Sequence, residues 1–385
     1  MGNSEEVRTD REKLFKDVQR AVVKLGTRVV TVRDNALNLP LIDRLAADVT
    51  EALGNGRFVA IVSSGAVGAG MGRLGLKYRP RRVEELQAVA AVGQGLLMNA
   101  YKLAFKKHDI PVGQVLLTSD DLDNRKRYVY ARNTLDVLFR FGAVPIINEN
   151  DSVAVEEIQL SVGDNDRLSA MVSHLVDADL LITMTDVDGL FSDDPSRNKE
   201  AVLIPEVGEL TTDMVAGAGK AGSEISQGGM ATKLQAAESV TRGGRMMVIV
   251  NGHKHRLKDV LDGQQVGTVF LANHCKLTDR KLWIANSRCQ GSVVVDSGAV
   301  EAIEIRGKSL LPSGIVEVFG EFEAGELVSV EDGDRKQVAR GIVRYTSNEI
   351  RKILGKKTFE IAEILDGDGG SEVVHRDDLL VSKST

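Results

Sequence analysis

The sequence predicts an α/β fold, a three-layer sandwich on a mostly parallel sheet, followed by a small all-β module. Three observations carry that prediction. Up to about residue 250, short apolar runs alternate with longer helical stretches, the βαβα order of parallel-sheet proteins. Most of these runs are continuously apolar, as strands buried on both faces must be. After about residue 290, short runs are broken by Gly, Asp and Ser turns roughly every eight to twelve residues, the spacing of a small barrel or sandwich.

The strand candidates of the first part are Ala21–Leu25, Phe58–Val62, Val112–Leu117, Val144–Ile147, Leu180–Met184 and Met246–Val250. Between them the helical spacing of apolar residues predicts helices over Pro40–Leu53, Val83–Lys107, Ala131–Phe141, Leu168–Val176 and Ala231–Thr241. The later strand candidates are Ser292–Asp296, Ala302–Arg306, Gly314–Val318, Leu327–Val330, Val338–Arg344 and Val373–His375, with His274–Gln290 as the connection. At 385 residues the chain exceeds the size at which one core stops growing. Domains are therefore expected at 20–273 and 291–375.

Composition narrows the function. Two cysteines, Cys275 and Cys289, are too few for a disulfide framework or a cysteine metal site, so a reducing cytoplasm is the expected location. Met1–Arg20 mixes both charge signs and lacks a signal-like apolar core. No apolar run approaches the ~18 residues of a spanning helix, so no membrane is expected. Residues 291–385 hold 18 acidic and 12 basic residues, which accounts for the whole net charge of −6. Nucleic acid is not an expected partner of such a surface, because phosphate backbones demand positive charge.

In open parallel sheets, ligands sit at the carboxyl ends of the strands. The residues there form a consistent set: Lys24-Leu25-Gly26-Thr27, Ser63-Ser64-Gly65 through Gly70, Asn148-Glu149-Asn150-Asp151, and Thr185-Asp186-Val187-Asp188. Gly163-Asp164-Asn165-Asp166 and Gly228-Gly229-Met230-Ala231-Thr232-Lys233 precede predicted helices. Phosphoryl transfer needs amide donors and fixed cations. Gly26 and the Gly65, Gly68 and Gly70 set suit close backbone approach to anionic oxygens, and Lys24 and Lys233 are candidate cations. Each feature also has a plain structural reading: a solvated lysine, an Asp that caps a helix, an Asp in a turn. Gly70-x-Gly72-x-x-Gly75 fits the dinucleotide pattern without its strand–turn–helix setting, and no Walker A sequence is present. His253 and His255 lack companions at metal-ligand spacing, and the residues nominate no metal ligands.

These segments, with Ala91-Val92-Gly93-Gln94 and Gly113-Gln114-Val115-Leu116-Leu117-Thr118, resemble the amino-acid kinase family, in the branch that phosphorylates glutamate. Ser309-Leu310-Leu311-Pro312 and Val374-His375-Arg376-Asp377-Asp378 resemble the PUA domain attached to many bacterial members. The resemblance implies transfer from ATP, with Mg²⁺, to the side-chain carboxylate of L-glutamate, the first step of proline biosynthesis. It also implies feedback inhibition by proline and a homo-oligomer. Carried over by motif, Lys24 and Lys233 contact phosphates and Asp166 holds both lysines; these three are the expected catalytic residues. Ser64, Asp151 and Asn165 are expected to bind glutamate. Gly26, Thr185, Asp186, Gln227, Gly228, Gly229, Met230, Ala231 and Thr232 are expected to form the nucleotide pocket with the two lysines. Arg28 and Gln227 depart from the family pattern, which has a small hydroxyl residue and Thr there. The rival readings are another enzyme of the family, such as acetylglutamate kinase, uridylate kinase or aspartokinase, and a PUA-containing RNA-binding protein.

Overall fold

The computed structural model describes residues 10–153, 164–210, 214, 229–273, 277–356, 364–365 and 372–382. The chain divides into two compact units, Met1–Ser119 with Val129–Lys276, and Asp120–Tyr128 with Leu277–Thr385.

The strands of the first unit are β1 (Arg20–Leu25), β2 (Phe58–Ser63), β3 (Val112–Leu117), β4 (Val144–Glu149) and β5 (Leu180–Thr185). They are followed by β6 (Leu190–Phe191), β7 (Leu203–Ile204), β8 (Glu206–Val207), β9 (Met246–Asn251) and β10 (Thr268–Phe270). β6 and β7 pair with each other, and the other eight form one sheet in the order β3-β4-β2-β1-β5-β9-β10-β8. The six strands from β3 to β9 in that order are mutually parallel, and β10 runs antiparallel to β9. Every strand expected up to residue 250 is present; β3 keeps its expected bounds, and each of the others extends by one or two residues to a polar or charged end such as Arg20, Ser63, Glu149, Thr185 or Asn251.

The helices through residue 276 are α1 (Arg11–Lys16), α2 (Thr27–Val30), α3 (Leu39–Gly54), α4 (Ala66–Leu74), α5 (Val83–Lys106), α6 (Ser119–Asp123), α7 (Arg125–Arg140), α8 (Asp164–Leu175), α9 (Met230–Arg242) and α10 (Leu257–Leu261). Side chains on a strand alternate between faces. Ala21, Val23 and Leu25 of β1, with Val59, Ile61, Ile182 and Val248, pack on Ile42, Leu45 and Val49 of α3 and Leu97, Tyr101 and Phe105 of α5. The residues between them, Val22 and Lys24, belong to the opposite face, where α8 and α9 lie. That alternation sends Lys24 to the α8 side.

The sequence pattern misses α4 because its three glycines are poor helix formers. Packing explains them. A Cβ on Gly70 would sit 1.9 Å from the Val89 carbonyl oxygen, and one on Gly93 would sit 1.8 Å from that of Ala66. The backbones of α4 and α5 touch there, so Gly70 serves packing and not anion binding. The N-terminal segment also has a structural part: Arg11 is buried and donates to the carbonyls of Val266, Pro205 and Gly267, which ties α1 to the strands β8 and β10.

In the second unit, β11 (Gly291–Val295), β12 (Ile315–Phe319), β13 (Leu327–Glu331), β14 (Gln337–Ile342) and β15 (Leu379–Val381) form a sheet in the order β12-β11-β13-β14-β15. Its core gathers Val293, Val295, Ile303, Val328, Val330, Ile350 and Val374. Two expectations are corrected. Ala302–Arg306 is not a strand but carries the end of helix Ser297–Glu304, which Asp296 starts by accepting from the Ala299 amide. Val373–His375 contributes a single bridge, Leu310 to Val374, in place of a strand. The 274–290 connection contains the helix Asp279–Asn286, whose Trp283 indole donates to the Leu122 carbonyl.

Candidate active site

Six parallel strands ending on one side place their carboxyl-terminal residues along a common rim. The site is built there around Asp166, in the first turn of α8. Its carboxylate accepts from Lys24 Nζ at 2.6 Å, Thr232 Oγ1 at 2.8 Å and Lys233 Nζ at 3.3 Å. Lys24 comes from β1 and Lys233 from the first turn of α9, 209 positions apart in number. All three are nearly out of solvent: Asp166 is 1 % exposed, Lys24 5 % and Lys233 8 %.

Burial opposes the Asp166 charge, yet the two ammonium groups and the Thr232 hydroxyl outweigh it and hold the carboxyl below its usual range. Burial pulls the Lys24 ammonium below the usual lysine range; Asp166 opposes that shift and Lys233 adds to it. Asp166 is thus the group that keeps two like charges together. Ser169 donates back to the Asp166 carbonyl, and Ser173 to that of Ser169, so α8 meets its own small hydroxyls on the buried side.

Glycine-led helix starts follow Lys24 and precede Lys233 in the chain. Among the described residues Gly229 caps α9 without any side-chain hydrogen bond, and the first amides of that helix, on Met230, Ala231 and Thr232, have no partner within the helix. Gly26 starts α2 and donates its own amide to Met184 O at 3.0 Å. Gly65 begins α4 at φ 108°, a left-handed conformation that favours glycine. Thr185, ending β5, donates to Asp186, whose other oxygen pairs with Arg28 at 2.8 Å. Burial raises the Asp186 pKa and the Arg28 hydrogen bond lowers it, with a net shift downward.

A second cluster lies beside the first. Asn165 Nδ2 donates to Ser64 Oγ at 2.8 Å and to Asn148 Oδ1 at 3.1 Å. Asn148 Nδ2 in turn donates to Gln94 Oε1 at 2.9 Å. The far amide nitrogen of Gln94 is buried with no partner among the described residues; a buried donor left unpaired costs about 1–3 kcal/mol.

The structure therefore brings together Lys24, Asp166, Thr232 and Lys233 in one group, and Ser64 with Asn165 in the neighbouring one. Thr185 and Asp186 lie at the end of the adjacent strand. Asp151 sits in the turn after β4. Gln227 and Gly228 lie outside the described residues, as does Gly163. Asn148 and Gln94 were not singled out as site residues, although both stand in motif segments; an Asn inside a buried strand and a Gln in mid-helix were the available signals. Among the described residues, no group of three His, Cys, Asp or Glu side chains could hold a metal ion, and no helix is long and apolar enough to cross a membrane.

Two ammonium groups clamped by one carboxylate, with the N-terminus of α9 alongside, favour a polyanion over a neutral ligand. Fold and site together define a protein of the phosphoryl-transferring class. A family model described as the amino acid kinase family matches residues 19–251, and one described as the PUA domain matches 291–365. The chain belongs to the amino acid kinase family. It is 49% identical over 365 residues to a glutamate 5-kinase of Moorella thermoacetica, covering 94% of this chain and 96% of that one. It is 48% identical over 373 residues to a glutamate 5-kinase of Geobacter sp. (strain M21), covering 96% and 100%. To that of Thermoanaerobacter sp. (strain X514) it is 44% identical over 364 residues, covering 94% and 97%.

Proposed function

We infer that this protein transfers a phosphoryl group from ATP to the side-chain carboxylate of L-glutamate, giving L-glutamyl 5-phosphate and ADP in the first step of proline biosynthesis. The observation that carries this reading is the meeting of Lys24 and Lys233 on Asp166 at the strand ends, in a chain so similar to enzymes named glutamate 5-kinase.

The attacking carboxylate has a reference pKa of about 4.3 and is ionised at neutral pH, so no general base is needed. The obstacle is repulsion between that anion and the triphosphate. Lys24 and Lys233 offset it and meet the charge on the transferred oxygens, while Asp166 fixes both in place. The amides of Met230, Ala231 and Thr232 at the start of α9 orient the phosphates, and Gly26, Thr185 and Asp186 line the nucleotide side. Ser64, Asn165 and Asp151 hold the amino acid, with Asp151 suited to its α-ammonium. Magnesium would enter with the nucleotide, drawing most of its ligands from phosphate oxygens. Asp166 already accepts from Lys24, Thr232 and Lys233, and Asp186, although paired with Arg28, is a carboxylate at the end of β5 that could add a ligand. When bound, the ion supplies positive charge to the triphosphate.

The kinase domain is assigned to residues 20–273 and the PUA domain to 291–375. Family resemblance supports inhibition by proline, assembly into a homo-oligomer and a cytoplasmic location. The deciding measurement is ADP release with L-glutamate, N-acetylglutamate, aspartate and UMP offered in turn. Glutamate is expected to give by far the highest kcat/KM, and comparable turnover with any of the other three would overturn the assignment.

A further inference from the structure

Arg28 follows Lys24 by four residues and is an exposed cation of the rim. Its side chain is 80 % exposed, where those of Lys24 and Lys233 are 7 % and 10 % exposed. A guanidinium carries five N–H groups in a flat fork. One hydrogen on Arg28 Nη1 goes to Asp186 Oδ2 at 2.8 Å, and the other N–H groups have no partner among the described residues. The guanidinium is held at one corner and open along the rest of its edge.

The group that holds it is itself fixed. Asp186 Oδ1 accepts from Thr185 Oγ1 at 3.1 Å, and the Asp186 carbonyl accepts from Asn251 Nδ2 at 3.2 Å. Thr185 and Asn251 are buried, and they pair with each other where β5 and β9 end. Asp186 also stands in the field of the lysine clamp. Burial lowers the Lys24 pKa most, and Asp186 joins Asp166 in opposing that shift.

Charge gives the open edge a use. Lys24 and Lys233 meet Asp166, and Lys254 Nζ donates to Asp188 Oδ2 at 2.7 Å. With Asp186, these three ammonium groups and three carboxylates cancel, so they offer no surplus positive charge to a triphosphate. Arg28 supplies that surplus.

We propose that Arg28 is a phosphate-binding residue: Asp186 holds one corner of its guanidinium, and the free edge takes phosphate oxygens of ATP. This deepens the function proposed above and rests on its ATP site. The flat fork matches phosphate oxygens in pairs, and its exposure lets it meet the nucleotide as that arrives from solvent.

The test compares the parent with Arg28→Ser, which removes the charge, and Arg28→Lys, which keeps a charge without the fork. Calorimetry gives the Kd for ATP with magnesium and without glutamate, and inhibition assays give the Ki for adenosine, which has no phosphates. In Arg28→Ser the Kd for ATP is expected to rise about five- to tenfold, less at high salt because the site is exposed. The Ki for adenosine should stay within about twofold and the Tm unchanged, and the Arg28→Lys Kd should fall between those of the other two. An unchanged Kd in Arg28→Ser overturns the proposal. So does an equal loss towards adenosine, which marks a structural role alone, or tighter ATP binding, which marks Arg28 as a cover over Asp186. Because binding is read without an acceptor, the Kd decides the role of Arg28 and the substrate panel decides the acceptor. A parent that turns over glutamate confines any failure to Arg28, whereas one that binds no ATP sinks both readings.

Discussion

Replacing Asp166 with asparagine tests the core of the site at almost constant volume. The carboxylate accepts from Lys24 on one oxygen and from Thr232 and Lys233 on the other. An asparagine must turn its NH2 towards one of those sets of donors, so at least one ammonium loses its acceptor whichever way the amide lies. Both lysines then remain buried as like charges without a counter-ion. Breaking a buried pair by removing one partner costs about 3–5 kcal/mol of stability, and displacing a positioned donor lowers kcat by about 10²–10³. A pH signature accompanies the loss. Burial already draws the Lys24 pKa below its usual value, and Asp166 is the main group holding it up. In Asp166→Asn that pKa falls further, so Lys24 sheds its proton at lower pH and residual activity declines earlier as pH rises. ADP release at saturating glutamate and ATP, followed from neutral to alkaline pH, reads both effects, and urea unfolding reads the stability. A variant within about threefold of the parent in kcat, with an unshifted pH profile, would refute the reasoning.

Two further outcomes follow from packing and burial. Gly93→Ala drives a methyl group into the Ala66 carbonyl of α4 at 1.8 Å; overpacking of this kind costs about 1–3 kcal/mol, measurable as a lowered Tm, and a variant as stable as the parent would show that α4 can move aside. His174 is buried between Ser239 and Arg245, and burial followed by the Arg245 charge pushes its pKa down to about 3 from 6.5. The unfolded chain therefore binds a proton that the folded one refuses, so stability is lost as pH falls below about 6.5, by about 1.4 kcal/mol per pH unit. Urea midpoints taken from neutral to mildly acid pH should fall in the parent and stay flatter in His174→Gln; equal slopes would place the acid sensitivity elsewhere.

The strands of the first unit are legible in the sequence because a strand covered on both faces must be apolar throughout, and Val144–Ile147 or Leu180–Met184 has few other uses. The rim motifs are legible for a related reason: glycines and charged residues directly after such strands stand out against the apolar background. Ala302–Arg306 is misread because so short a mixture of apolar and charged residues fits a helix end as well as a strand. The cap that decides it, Asp296, lies six residues earlier.

By itself, then, the order of residues determined the parallel sheet, the late change to a small β unit, and which polar side chains crowd the strand ends. Only the tertiary structure decided which of them meet. Period-two alternation puts Lys24 on one face of β1, but that this face is covered by α8, so that Asp166 reaches both Lys24 and Lys233, depends on how helices distant in sequence stack on the sheet. Gln94 shows the same limit more sharply. Nothing in a mid-helix glutamine marks it as a partner of Asn148 until α5 is laid beneath β4, because a hydrogen bond is specified by position in space and not by spacing along the chain.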